Sequence, residues 1–281
     1  MFRPSCHRQP GRRDPGAVTA LLVAVSVTIL FGCTKPTPPR VARAPTKIRV
    51  AAATDLRSCL DALTDAFQVE HPNFDLLPTF GASGTLLSQL KSGLETDLYL
   101  SADVAYAHDL AAAGLAAEAD VFESGHGRLV IWVRNESPID VSKLGGEALL
   151  DPSVRRVAIA NPVHAPYGRA AVAALEHLGL HDRVKEKLAV GESAAQAAQY
   201  VESGAAEVGI LPMALAKGTR LVERGRFWVV PADAHPPIRH GGAIHARAID
   251  REATVAFRDF LLAPAGRAIL ARYGFEFPAV P

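Results

Sequence analysis

Two short segments place hydroxyl side chains directly after a predicted strand, where a helix is predicted to begin. They are Ala53-Thr54-Asp55-Leu56, after the run 48–53, and Gly81-Ala82-Ser83-Gly84-Thr85, after the run 74–80. A helix start leaves backbone N–H groups unpaired and carries partial positive charge, and the hydroxyls add further donors. Two such starts at the carboxyl ends of neighbouring strands can converge on one anion. Ordinary capping by Ser, Thr and Asp is the competing interpretation.

Other motifs with potential chemistry are weaker. Ser83 lies in a segment close to the G-x-S-x-G nucleophile elbow, but Thr85 occupies the fifth position, so a serine hydrolase is a remote alternative. His235, His240 and His245 are five residues apart, which fits no common zinc spacing, and we interpret them as surface and loop histidines. No GxxxxGK[ST] motif occurs, so ATP binding belongs to a separate subunit. We therefore expect no catalysis, no bound metal cation and no cofactor.

Short β-branched runs alternate with helical patterns from Lys47 onward, which is typical of a parallel α/β sheet. After the first strand, apolar residues from Leu56 to Phe67 recur at helical spacing. The later predicted strands are 74–80, 98–101, 129–133, 157–160, 208–211, 227–230 and 242–246, and the later helices are 85–93, 106–113, 168–178, 194–202, 251–262 and 264–273. The pattern predicts two α/β lobes, 47–128 with 241–281 and 129–240, joined by crossovers near 128–133 and 241–246.

The N-terminal segment has the layout of an export signal. Four arginines and a histidine precede the largely apolar run 17–32, which ends at Cys33. The end of this run resembles the lipobox of bacterial lipoproteins, which implies a signal peptide over 1–33, export by the Sec route and lipidation of Cys33. An uncleaved signal anchor is the alternative, although the run is short for a spanning helix. The Pro-rich, basic stretch 34–46 predicts an extended tether.

The composition excludes several classes of protein. The 281 residues are 49% hydrophobic and 21% charged, so the chain can bury a sizeable core, and a disordered or fibrous protein is excluded. The 30 basic and 29 acidic side chains form no basic block, so we expect no nucleic-acid partner. Cys59 is the one cysteine after Cys33, which leaves no intramolecular disulfide in the predicted domain. We expect Cys59 to be buried on a helix.

Five segments resemble the periplasmic molybdate-binding proteins of ABC importers and follow the order of that family: 48–56, 80–86, 97–103, 160–168 and 272–275. The resemblance extends from Lys47 to Phe277 and implies a type II periplasmic-binding fold, with two Rossmann-like lobes, two crossover strands and the ligand in the cleft. It implies capture of molybdate, with tungstate as an additional ligand, for the membrane permease and ATPase subunits of an importer. The protein would act in the periplasm or cell envelope, held at the membrane through lipidated Cys33, and we expect a monomer.

The resemblance also implies which residues bind the ligand. Thr54 and Ser83 match the two hydroxyl ligands, each with its backbone N–H, and Ala194 matches the helix-start N–H that the second lobe supplies. Many members have a tyrosine where this chain has Pro212. A subgroup instead has a segment similar to the one around Tyr167, which makes this phenol a donor to the oxyanion, with simple packing as the alternative.

Because of Asp55, the sequence does not decide which oxyanion is bound. A carboxylate beside a dianion repels it unless the side chain turns away or accepts a proton from the ligand. Molybdate and sulfate are fully deprotonated near neutral pH, whereas a protonated phosphate offers a donor that Asp55 could accept. We include Asp55 among the binding residues and expect it mainly to cap its own helix. The alternative cargo is another oxyanion, such as sulfate or phosphate.

Overall fold

The computed structural model describes residues 46–218 and 220–277, which form two five-stranded sheets covered by helices. The predicted signal peptide, Cys33 and residues 34–45 of the predicted tether lie outside the described residues. In chain order the strands are β1 (Thr46–Ala53), β2 (Phe74–Gly81), β3 (Leu98–Ser101), β4 (Ala116–Gly127), β5 (Leu129–Arg134), β6 (Val157–Ala160), β7 (Leu188–Gly191), β8 (Val208–Pro212), β9 (Gly225–Val229) and β10 (Ile238–His245).

The helices are α1 (Arg57–Glu70), α2 (Ser83–Lys91), α3 (Ala105–Ala112), α4 (Val141–Leu144), α5 (Pro166–His177), α6 (His181–Val184), α7 (Ala194–Glu202), α8 (Met213–Ala216), α9 (Arg251–Leu262) and α10 (Pro264–Arg272). None of the helices within 46–218 and 220–277 is long and apolar enough to cross a bilayer.

The first sheet has the strand order β2-β1-β3-β10-β4. β1 pairs in parallel with β2 and β3, and its register places Ala53 opposite Gly81. Parallel neighbours require a crossover, which α1 supplies between β1 and β2. The predicted apolar face of α1 is buried, and so is Cys59, as expected from the sequence. β10 runs antiparallel to both β3 and β4. We call this sheet with α1, α2, α3, α9 and α10 the first lobe.

The second sheet has the order β7-β6-β8-β5-β9 and, with α4 to α8, forms the second lobe. β6 is parallel to β7 and β8, whereas β5 is antiparallel to β8 and β9. The chain enters this lobe after Arg128 and returns to the first lobe between Val229 and Ile238. The return therefore precedes the crossover predicted near 241–246, because β10 already begins at Ile238.

Two strands, β4 and β7, were not predicted from the sequence. Each lies at the edge of its sheet, where one side of the strand faces away from the other strands. The burial of β4 is intermittent, and its sequence mixes acidic residues and glycines with apolar ones, so no continuous apolar run marks it. β7 has only four residues, three of which are not buried. β2 and β9 are also edge strands and both were predicted, so the mixed composition of β4 and the short length of β7 explain why sequence patterning fails at these two strands.

Candidate functional site

Both predicted helix starts lie at the same edge of the first sheet. β1 ends at Ala53 and continues into a single 3-10 turn, Thr54–Leu56, before α1 begins. β2 ends at Gly81, and Ser83 is the first residue of α2. Because the two strands are parallel with Ala53 opposite Gly81, the chain leaves them side by side. Thr54 and Ser83 are therefore neighbouring, buried hydroxyls at one sheet edge.

The orientation of Ser83 is fixed by contacts within the first lobe. Its Oγ accepts a hydrogen bond from the Ala102 N–H at 3.0 Å. Its carbonyl accepts a hydrogen bond from the Tyr99 hydroxyl at 2.8 Å. A serine hydroxyl has one proton to donate in addition to its acceptor lone pairs. Because the N–H of Ala102 occupies an acceptor position, the Ser83 proton is directed elsewhere and can be offered to an anion.

The start of α7 brings the second lobe to Thr54. Ser193 caps this helix by accepting from the N–H of Gln196 at 3.3 Å. The N–H of Ala195 in the first turn donates to Thr54 Oγ1, also at 3.3 Å. Ala194, the residue predicted from the sequence, is the first helical residue and is buried beside this contact. The structure thus brings Ala194 to the hydroxyl end of the first lobe, although the N–H that touches Thr54 belongs to Ala195.

A second backbone contact joins the lobes at Gly84. Its N–H donates to the His164 carbonyl at 2.9 Å. A Cβ atom on Gly84 would lie 3.0 Å from that oxygen and 3.1 Å from the Tyr106 hydroxyl, which is tighter than ordinary packing. The absence of a side chain at Gly84 therefore admits the backbone of the second lobe.

Tyr167, near the start of α5, lies against a histidine and an aspartate of the first lobe. Its hydroxyl lies 3.1 Å from His240 Nε2, and the same nitrogen lies 3.4 Å from Asp55 Oδ2. All three side chains are at most 2% exposed. A Cβ atom on Gly127 would overlap the Tyr167 hydroxyl, so this glycine leaves the space that the phenol fills. We call Asp55, His240 and Tyr167 the buried triad.

Burial controls protonation in the buried triad. It raises the pKa of Asp55 to about 7, and it lowers the pKa of His240 to about 3, with a smaller contribution from the charge of His126. Burial, followed by the charge of Asp55, raises the pKa of Tyr167 well above its ordinary value. The 3.4 Å approach of His240 to Asp55 falls within ion-pair distance. Slightly below neutral pH, however, these shifts favour a neutral imidazole beside a protonated carboxyl over an ion pair.

Two sequence-based expectations are wrong in this region. Asp55 makes no cap hydrogen bond at the 3-10 turn or at α1; its Oδ2, like His240 Nδ1, has no hydrogen-bond partner within the described residues. The three histidines are not surface residues, because His235, His240 and His245 are all buried. His240 and His245 belong to β10, which is sandwiched between two strands. Within 46–218 and 220–277, no cluster of His, Cys, Asp and Glu could hold a metal ion.

A cavity of about 400 Å³ adjoins the site between α1 and the second lobe. Its lining includes Ala195, the carboxylates of Asp61, Asp65 and Glu202, and the guanidinium groups of Arg57 and Arg220. Three carboxylates beside two guanidinium groups give this lining no excess of positive charge, so the cavity is a poorer anion site than the hydroxyls and helix starts beside it. The chemistry of the donors, rather than cavity size, places the candidate oxyanion site at Thr54 and Ser83.

Two α/β lobes whose donors meet in one cleft are the architecture of a binding protein. The family model described as bacterial extracellular solute-binding protein matches residues 48–276. The chain belongs to this family, so it is a solute-binding protein and not an enzyme, and the serine-hydrolase alternative for Ser83 is set aside. Its solute is a cargo, not a cofactor.

Individual relatives share a more specific description. The molybdate-binding protein ModA of Azotobacter vinelandii is 30% identical over 229 residues, covering 82% of this chain and 89% of that protein. The protein of the same name from Rhodobacter capsulatus is 32% identical over 196 residues, 70% of this chain and 75% of that one. The solved structure of the Azotobacter vinelandii periplasmic molybdate-binding protein matches with a TM-score of 0.76 at 27% identity, covering 82% of this chain and 99% of that one. The predicted two-lobed fold is confirmed.

Proposed function

We propose that this protein captures molybdate, and also tungstate, between its lobes and delivers it to the permease and ATPase subunits of an ABC importer. The observation that carries the proposal is the convergence of Thr54, Ser83 and the first turn of α7. The molybdate-binding relatives from two organisms support the choice of cargo. Thr54, Ser83, Ala194, Tyr167 and Asp55 are the proposed binding residues.

Neutral donors suit a fully deprotonated oxyanion because they satisfy its oxygens without a fixed countercharge. The Ser83 hydroxyl proton is free to donate, since its oxygen already accepts from Ala102. Helix starts add backbone N–H groups and partial positive charge. Closure of the lobes excludes water and lowers the local dielectric constant, which strengthens each of these contacts. Affinity and closure are therefore linked in this proposal.

Two features, Asp55 and Pro212, favour a second class of cargo. Asp55 is a fully buried carboxyl next to Thr54, and its pKa of about 7 makes it half protonated at neutral pH. Protonated, it donates to molybdate or sulfate; ionised, it accepts from a protonated phosphate. Pro212, the buried last residue of β8, stands where many family members have a tyrosine donor. Sulfate or phosphate is therefore the alternative cargo.

Calorimetric titration of the full-length protein, purified in detergent from cell envelopes, tests the cargo. Molybdate, tungstate, sulfate and phosphate are titrated separately near neutral pH. We expect one-to-one binding of molybdate and tungstate with no heat from sulfate. Tight phosphate binding, or sulfate binding as strong as that of molybdate, would replace the proposed cargo.

Ser83→Ala tests the site itself. Loss of one hydrogen bond to a charged ligand costs about 1.5–3 kcal/mol, which corresponds to roughly ten- to hundredfold weaker molybdate binding. Ser88→Ala is the matched control, because Ser88 is an exposed serine of the same helix whose hydroxyl bonds to the Gly84 carbonyl. Equal affinities for both variants would remove Ser83 from the site.

We further infer that residues 1–33 are an export signal, that the tether predicted over 34–46 ends at residue 45 because Thr46 begins β1, and that lipidated Cys33 holds a monomeric protein at the membrane. The basis is the charged segment, the apolar run and the cysteine in sequence. Mass spectrometry of the protein purified from membranes should find Cys33 as the lipid-bearing N-terminal residue. A chain that keeps residues 1–32 and carries no lipid would instead favour an uncleaved signal anchor.

A further inference from the structure

The buried triad joins the two lobes behind the proposed oxyanion site. Asp55 follows β1 and His240 lies on β10, both in the first lobe, whereas Tyr167 comes from α5 of the second lobe. One atom, His240 Nε2, lies within 3.1 Å of the Tyr167 hydroxyl and 3.4 Å of Asp55 Oδ2. Asp55 is also the covalent neighbour of Thr54, which places the triad next to a proposed anion ligand.

The state of His240 Nε2 decides where the Tyr167 proton points. If Nε2 lacks a proton, it accepts the phenol proton, and Tyr167 has nothing to offer an anion. If Nε2 carries the proton, it donates to the phenol oxygen, and the Tyr167 proton is free to be donated to another acceptor. Edge-on packing of Phe275, with ring centroids 4.8 Å apart, holds the imidazole in this position. His240 can therefore orient the phenol without touching the ligand.

A dianion next to this triad also changes its protonation. A nearby negative charge raises the pKa of a carboxyl, and the pKa of Asp55 is already raised by burial. A protonated Asp55 turns a repulsive carboxylate into one more donor. Because the carboxyl and the imidazole titrate together, the proton belongs to the pair and not to one atom.

The other titratable groups around the triad cannot supply this proton easily. The Cys59 thiol of α1 is buried, and burial and the charge of Asp55 raise its pKa. His126 of β4 acts on His240 through its charge, but its Nε2 is 2.8 Å from Glu123 Oε1. Glu123 pairs in turn with Arg239 at 2.6 Å. Solvent is therefore the proton source.

We propose that His240 is a positioning residue for the oxyanion site, and that the buried triad takes up one proton from solvent when a dianion binds. This proposal rests on the proposed capture of an oxyanion. It adds the uptake of one proton on binding and a positioning role for His240. Because Asp55 is protonated before binding in acid and ionised before binding in alkali, uptake rises from near zero at about pH 6 to near one at about pH 8.5. Affinity then falls by about tenfold per pH unit above neutrality.

Titration calorimetry with molybdate in buffers of different ionisation enthalpy counts the protons directly. Wild type is measured at both pH values alongside Asp55→Asn, His240→Gln and the control His108→Gln, whose histidine is exposed and bonded to Glu118. We expect Asp55→Asn to abolish proton uptake and to flatten the pH profile. We expect His240→Gln to weaken binding by tenfold or more and to reduce the uptake, and we expect His108→Gln to match wild type.

Each calorimetric result supports or overturns a stated proposal. Molybdate binding without proton uptake at the alkaline pH overturns the inference but leaves the proposed function standing. Uptake that persists in Asp55→Asn also overturns it, because the proton then goes elsewhere. No binding of any oxyanion at either pH overturns the proposed function and this inference together. If His240→Gln does not fold, the wild-type proton count and Asp55→Asn still decide whether the triad takes up a proton.

Discussion

The two lobes contribute to the site in different ways. The first lobe holds its donors through its own contacts: the register of β1 with β2 sets Thr54 beside Ser83, and Ala102 and Tyr99 hold Ser83. The second lobe reaches the same place through the first turns of α7 and α5 and depends on contacts across the cleft. Folding of the first lobe thus fixes the donors Thr54 and Ser83, whereas the donors of the second lobe reach the site only when the two lobes are in contact.

The largest expected effect concerns the pH dependence of stability that Asp55 and His240 of the first lobe produce. The pKa of Asp55 is raised from 3.8 to about 7, so its stabilising contribution is lost as pH rises from about 4 to about 7. The pKa of His240 is lowered from 6.5 to about 3, so its contribution is lost as pH falls through that range. The two pH dependences oppose each other. In this range the unfolded chain holds one proton on the imidazole and the folded protein holds one on the carboxyl, so folding leaves the number of bound protons unchanged. We expect wild-type stability to be nearly flat between about pH 4 and about pH 6.5.

Variants that remove one of the two groups should show the pH dependence that the other group produces. The free energy of unfolding of Asp55→Asn should rise with pH, and that of His240→Gln should fall, each by up to about 1.4 kcal/mol per pH unit. Denaturant unfolding without ligand measures both, with His108→Gln as the control. A wild-type profile as steep as that of either variant would show that the two groups are not both neutral in the folded first lobe.

Thr54→Val should have the next largest effect, because Thr54 contacts the first turn of α7 in the second lobe. Valine keeps the shape of threonine but removes a proposed anion donor, which also accepts the Ala195 N–H. Molybdate affinity should fall by roughly ten- to hundredfold, the cost of a hydrogen bond to a charged group. Thr64→Val is the matched control, since this α1 hydroxyl bonds to the Leu60 carbonyl. Calorimetry that finds both variants equal would remove Thr54 from the contact between lobes and ligand.

The smallest expected effect concerns an exposed pair that links the lobes. Arg169 of α5 lies 2.6 Å from Asp103 and donates to the Tyr106 hydroxyl at 2.8 Å. Because Arg169 is 42% exposed, solvent screens the pair, and Arg169→Met should weaken molybdate binding by no more than about fivefold, or about 1 kcal/mol. The loss should shrink at high salt. Arg155→Met, which breaks a pair with Glu207 inside the second lobe, should leave affinity unchanged.

The sequence predicts the parts of the site that depend on local pattern. The helix starts at Thr54 and Ser83 follow predicted strands, and α7 begins at Ala194 as predicted. Which N–H of α7 meets Thr54 depends on how the lobes pack, so the sequence does not distinguish Ala194 from Ala195.

The burial of His240 was not predicted, because it depends on residues that are distant in the sequence. β10 is inserted between β3 and β4, which are distant from it in sequence, and only this insertion buries the imidazole. A signal was available: Cβ atoms on the following residues, Gly241 and Gly242, would collide with backbone atoms of β4 and β3. Paired glycines in a strand indicate close neighbours on both sides and therefore a central strand.

The contact between Gly84 and His164 has a consequence for how the protein measures its cargo. Both partners are main-chain atoms, so their 2.9 Å separation is independent of any side-chain rotamer. This hydrogen bond therefore limits how closely the two lobes approach each other at Gly84. Under the proposed function, we expect this backbone contact to limit which ion radius the cleft accepts, so that exchanging Thr54 or Ser83 changes the affinity for an ion more than the preference for its size.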